Sequence, residues 1–109
     1  MEGFERYIEE VNKFERSKLF GEKFVDFIAV LAENKVLHSA EIELLLDIRG
    51  SEVRSLVKHA RRRGLLVCSN ENGYFIASSI EEAKSTLDHL KQRAYSILYT
   101  VQMMEGSNG

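Results

Sequence analysis

Residues 50–77 read GSEVRSLVKHARRRGLLVCSNENGYFIA, and the fold turns on how this stretch divides. Val53, Leu56, Val57 and Ala60 recur at i, i+3, i+4 and i+7, which lines one side of an α-helix with apolar groups. Ser51 precedes that stripe as a candidate N-cap. Gly64 follows Arg61, Arg62 and Arg63 as a left-handed stop, and the three bases suit the negative end of the helix. The period then changes. Leu65–Cys68 and Tyr74–Ala77 are short β-prone runs on either side of Ser69-Asn70-Glu71-Asn72-Gly73, which predicts an antiparallel hairpin.

Upstream, Glu22 to Asn34 predicts a helix with Phe24, Phe27, Ile28 and Leu31 on its buried side and Asn34 as its C-terminal cap. Lys35–His38 reads as a very short strand. Ser39 then caps a short helix, Ala40 to about Leu46, that buries Ile42, Leu45 and Leu46, and Asp47–Gly50 turn the chain. Residues 2–19 are helix-like, with Phe4, Tyr7, Ile8, Val11 and Phe14 as one stripe. Downstream, Ser79 and Glu82 form a capping box that starts a long helix from Ile80 to about Met104. With no proline in the chain, Gly21, Gly50, Gly64 and Gly73 do the punctuating. The expected organisation is an N-terminal helical extension (1–21), a core (22–79), a C-terminal helix (80–105) and a frayed tail (106–109). The fold class is mostly α with a small β-hairpin. Three helices followed by a hairpin is the layout of a winged helix-turn-helix, here with an N-terminal helix and a long C-terminal one.

The 109 residues leave room for one domain, and 44% apolar with 29% charged residues is a soluble, globular balance. The longest uncharged apolar stretch, Phe27–Ala32, is far short of the roughly 20 residues of a membrane span. Cys68 is the sole cysteine, which excludes an internal disulfide and a cysteine-rich zinc site. Residues 1–6 lack the basic start and apolar core of a signal peptide, so a cytoplasmic location is expected. The net charge of −2 hides an uneven distribution. Residues 49–68 hold Arg49, Arg54, Lys58, Arg61, Arg62 and Arg63 against Glu52 alone, a net +5 in an otherwise acidic chain. Such an island suits a phosphate-facing surface, or else a solvated helix face paired with local acids.

The run GSEVRSLVKHARRRGLLVCSNENGYFIASSIEEAKSTLDHLKQRA resembles winged-helix DNA-binding proteins encoded by bacteriophages and prophages. In those, a Gly-[ST]-x-x-[IVL]-Arg recognition helix ends in Arg-Arg-x-Gly. A hairpin ending in Gly-Tyr-[FWY]-[IL]-Ala follows, then a helix with spaced Leu and Arg-Ala. The resemblance spans residues 37–97 and implies double-stranded DNA as ligand, a bacterial host cell as setting, and a role in transcription control, replication or excision. Residues 1–21 have no counterpart in it.

The helical wheel of residues 51–63 agrees, leaving Ser51, Glu52, Arg54, Ser55, Lys58, His59 and Arg62 outward. Arg54 and Ser55 are the expected base readers, since arginine bonds bidentately to guanine; the alternative for Arg54 is a salt bridge to Glu52 or Glu43. Lys58, Arg61 and Arg62 are expected at phosphates, with Ser51 at the helix start, and Arg49 is expected among the DNA contacts. Arg63 reads as a helix-end residue. Asn70, Asn72 and Gly73 form the wing tip, where Glu71 replaces the basic residue of a strong clamp. Tyr74 and Phe75 read as core.

Other chemistry finds little support. His38, His59 and His89 lie on three elements without zinc-ligand spacing, so no metal is expected, and no phosphate-binding glycine loop is present. Cys68 reads as a small packed side chain. Neither an enzyme nor a cofactor is expected. Ile80, Ala83, Leu87, Leu90, Ala94, Ile97, Val101 and Met104 alternate in steps of three and four, the seam of a coiled coil. They predict a homodimer through Leu87, Leu90, Ala94, Ile97 and Val101, with the N-terminal stripe as an alternative cover for the same helix. Two readings stand: a DNA-binding winged helix, or a winged-helix module that binds a host or phage protein as inhibitor or adaptor.

Overall fold

The computed structural model describes residues 2–108, with side chains for 3–17 and 20–106. Five helices and one hairpin follow in order: α1 (Glu2–Glu15), α2 (Lys18–Glu33), α3 (Ser39–Leu46), α4 (Gly50–Arg62), β1 (Val67–Asn70), β2 (Gly73–Ile76) and α5 (Ile80–Asn108). The expected mostly helical chain with an antiparallel hairpin and a long C-terminal helix is what the structure shows.

Several boundaries shift, each through a cap. The first break falls at Arg16-Ser17 rather than at Gly21, because Ser17 Oγ accepts from the Phe20 amide at 3.3 Å and starts α2 there. Gly21 therefore lies inside α2. Asn34 ends α2 as expected, through its side-chain amide on the Val30 carbonyl rather than through a left-handed backbone. Helix α3 is capped by His38, not Ser39: the Glu41 carboxylate accepts from the His38 amide at 2.9 Å, while Ser39 Oγ bonds to Glu43. Helix α4 likewise starts before Ser51. Arg49 is its N-cap, its amide bonded to the Glu52 carboxylate at 2.9 Å. Between the two helices Asp47 takes the left-handed conformation (φ 54°), which short polar side chains tolerate better than most. Gly64 closes α4 at φ +86° as the sequence predicts. At the start of α5 the box is displaced by one residue: Ser79 Oγ accepts from the Glu82 amide, but the Glu82 carboxylate accepts from Ser78. Helix α5 also runs through Gly106 to Asn108, where a frayed tail was expected; Gly109 lies outside the described residues.

The hairpin pairs Val67 with Ile76 and Asn70 with Gly73, so Ser69 and Asn70 belong to the strand and the loop is only Glu71-Asn72. The expected strand at 35–38 reduces to a single bridge, in which Leu37 and Tyr74 exchange backbone hydrogen bonds of 2.9 and 2.8 Å. Gly73, at φ +124°, is required there, because a Cβ would collide with the Leu37 carbonyl.

The main core gathers Phe27, Leu31, Leu37, Ile42, Leu46, Val53, Leu56, Val57, Ala60 and Val67. The stripe of α4 is thus buried as expected. Leu45 is not: Ile42 and Leu46 take the inward side of the two-turn α3, and Leu44 and Leu45 face solvent. A smaller cluster of Cys68, Ala77 and Ala83, flanked by Leu66, Phe75 and Leu87, seats the hairpin on α5. Tyr74 packs on the main core and Phe75 on this smaller one. Thr86 reinforces the seat by accepting from the Ser69 amide at 3.2 Å. The molecule measures 51 × 31 × 23 Å, and residues 91–106 of α5 are exposed on all sides. No helix of the described residues is long and apolar enough to cross a membrane.

Candidate nucleic-acid interface

Helix α4 decides the geometry. Its inward stripe fixes the opposite side, where Ser51, Arg54, Lys58 and Arg62 are exposed and Ser55 is half-buried. These side chains form one wall of a cleft of about 700 Å³, closed by Ser69 and Tyr74 of the hairpin and by Leu90 and Arg93 of α5. Arg54, Lys58, Arg61, Arg62 and Arg93 converge on it, and among the described residues no carboxylate lines it. Five like charges around one concavity raise the local potential and attract a polyanion.

The five are not equivalent. Arg61 is committed to the hairpin: its Nε donates to the Val67 carbonyl at 2.7 Å and its Nη2 approaches Ser69 Oγ at 3.5 Å. Burial lowers its pKa from the ordinary arginine value, and Arg93 across the cleft pushes the same way. Burial also lowers that of Arg62, whose guanidinium lies 4.5 Å from the Tyr7 ring of α1. Arg49 stands apart at the outer end of α4, paired at 3.4 Å with Glu52. Glu52 is thereby engaged by Arg49 rather than by Arg54, and its pKa is lowered chiefly by the Arg49 amide. Ser55 Oγ donates back to the Ser51 carbonyl at 3.1 Å, leaving its lone pairs for a ligand.

The hairpin tip serves its own geometry first. Asn70 Oδ1 accepts from the Asn72 amide at 2.8 Å, and Gly73 lies against Leu37. Glu71 and Asn72 form the exposed end.

His59 departs most from expectation. Placed outward by the wheel, it is buried, its ring stacked 4.0 Å from that of Phe14 at an interplanar angle of 11°. Its Nδ1 has no hydrogen-bond partner among the described residues, and burial lowers its pKa. The wheel treats α4 as having a single covered side, but α1 covers a second. Of the N-terminal stripe expected to be available to α5, Phe14 meets Phe20 and His59 instead and Tyr7 lies under Arg62, while Phe4 and Ile8 are exposed; Glu15 pairs with Arg63 at 3.2 Å. Arg63, besides ending α4, also lies over the Phe20 and Phe24 rings.

Among the seam residues, Leu87 packs on the smaller cluster and Leu90 is half-buried at the cleft, whereas Ala94, Ile97 and Val101 are exposed. Sequence reasoning missed Arg93 and Ser69 as cleft residues. The signal for Arg93 was its place in the Arg-Ala pair of the C-terminal helix; nothing local marked Ser69. Among the described residues no group of three or more His, Cys, Asp or Glu side chains is placed to hold a metal ion. No protein-family model matches this chain, no curated protein matches it, and no solved structure matches it.

Proposed function

We propose that this protein binds double-stranded DNA as a winged helix-turn-helix, with α3, the turn at 47–49 and α4 as the helix-turn-helix and the β1–β2 hairpin as the wing. The carrying observation is the cleft on which Arg54, Lys58, Arg61, Arg62 and Arg93 converge, with no carboxylate among its described lining residues. The exposed N-terminal half of α4 enters the major groove, where Arg54 and Ser55 reach base edges. Lys58, Arg62 and Arg93 neutralise phosphates, with Arg49 and Ser51 at the outer end of the helix. Arg61 contributes charge while it holds the wing. This is a binding function without catalysis, suited to phage-type control of transcription, replication or excision in a bacterial cytoplasm.

Mobility shift on mixed duplex DNA across a salt series tests the reading. Affinity falls steeply with salt when several phosphates are neutralised, and Arg54→Ala costs about 1–3 kcal/mol with relaxed preference at one position. Salt-independent or absent binding overturns it. A second reading, a winged-helix adaptor for another protein, draws on the exposed Leu44 and Leu45 of α3 and on the acidic wing tip at Glu71. Under that reading Leu44→Glu abolishes function while duplex affinity is negligible.

A further inference from the structure

Helix α5 leaves the body with an apolar seam that changes its surroundings part-way. Ala83 is buried and Leu87 and Leu90 are half-buried where α5 meets the hairpin and residues 64–66. Ala94, Ile97 and Val101 continue the same heptad positions into solvent, Ile97 being 63% exposed and the adjoining Leu98 53%. From Ala94 to Met104 the helix carries no charged residue. Water is a poor neighbour for so long an uncharged face.

The charges at either end of this stretch select what covers it. Lys91, Leu98 and Glu105 are spaced by seven, so they occupy one heptad position beside the seam. An antiparallel partner related by a two-fold axis through Leu98 sets Lys91 opposite the partner's Glu105, and Glu105 opposite the partner's Lys91. A parallel partner places Lys91 level with the partner's Lys91, and Glu105 level with the partner's Glu105. Charge complementarity therefore favours the antiparallel pair, which a second copy of the chain supplies twice over.

We propose that α5 forms an antiparallel two-helix interface with α5 of a second copy, with Leu98 beside the two-fold axis and Lys91 against the partner's Glu105. In this register Gly106 of each helix falls opposite the partner's Leu90, at the rim of an apolar cleft of about 220 Å³ lined by Leu65, Leu87 and Leu90. The interface is argued from α5 alone and does not rest on the DNA reading, although Leu90 borders both the basic cleft and this groove.

Light scattering on the full chain at micromolar concentration, with a dilution series, tests it. The expected mass is that of two chains. Lys91→Glu and Glu105→Lys each shift the dissociation midpoint upward by about tenfold or more, because each creates two like-charge pairs. The double variant restores it to within about threefold of the parent. Leu98→Cys closes to a disulfide-linked dimer under mild oxidation. Circular dichroism on each variant checks that the helices persist, and all three substituted positions are exposed. Any mass other than that of two chains overturns the proposal, as does a double variant no tighter than the singles.

Discussion

The Arg61 guanidinium donates from Nε to the Val67 carbonyl at 2.7 Å, so the helix that presents the cleft and the hairpin that closes it are joined by one half-buried charge. A neutral side chain of similar length keeps the packing of the stem and loses this bond. Arg61→Met should therefore cost about 1.5–3 kcal/mol in chemical unfolding, the range for hydrogen bonds to charged groups. Arg61→Lys should recover only part of it, since an ammonium lacks the planar fork that reaches Val67 and Ser69 together.

Arg93 lies on α5, outside the α3–α4 pair, yet lines the same cleft as Arg54 and Lys58. Arg93→Ala should weaken all duplex sequences alike and reduce the slope of log K against log salt by about 0.9, one phosphate's worth. An unchanged slope in fluorescence anisotropy titrations would remove α5 from the DNA surface.

Leu56 is fully buried in the centre of α4, between neighbours on both sides. Leu56→Ala should cost about 2–5 kcal/mol in urea unfolding. That is a large fraction of the stability of so small a domain.

His59 titrates against the fold. Burial lowers its pKa below the ordinary histidine value, an effect that Glu15 opposes and Lys58 reinforces. With the folded pKa below the unfolded one, the unfolded chain binds the proton first. Stability is then full above the unfolded value and is lost as pH falls from there towards the folded pKa. Thermal unfolding between pH 7.5 and 5 should show this decline, and His59→Phe, which keeps a ring against Phe14, should flatten it. A parallel decline in the variant would assign the slope to carboxylates instead.

Much of this architecture is local in origin and was legible along the chain. The spacing of Val53, Leu56, Val57 and Ala60 states that α4 exists and which side it buries, because residues three and four apart share a helix face whatever packs on it. Gly64 and Gly73 mark the end of α4 and the turn of the hairpin, because only glycine takes their positive φ without strain. Cap positions slipped by one or two residues, at His38 instead of Ser39 and at Arg49 instead of Ser51. A glutamate three residues on offers its carboxylate to whichever backbone amide the preceding turn leaves open.

Residue spacing dictates that the helices and the hairpin form, which side of α4 is buried and that positive charge gathers beside it. Only the folded chain brings Phe14 of α1 onto α4, burying His59 beneath it from a distance of 45 residues. It also decided that Arg61 turns to the hairpin while Arg93 arrives from α5 to complete the cleft. Periodicity reports one covered side of a helix at a time; a second neighbour, packed at an angle set by the whole core, leaves no periodic trace in the residues it covers.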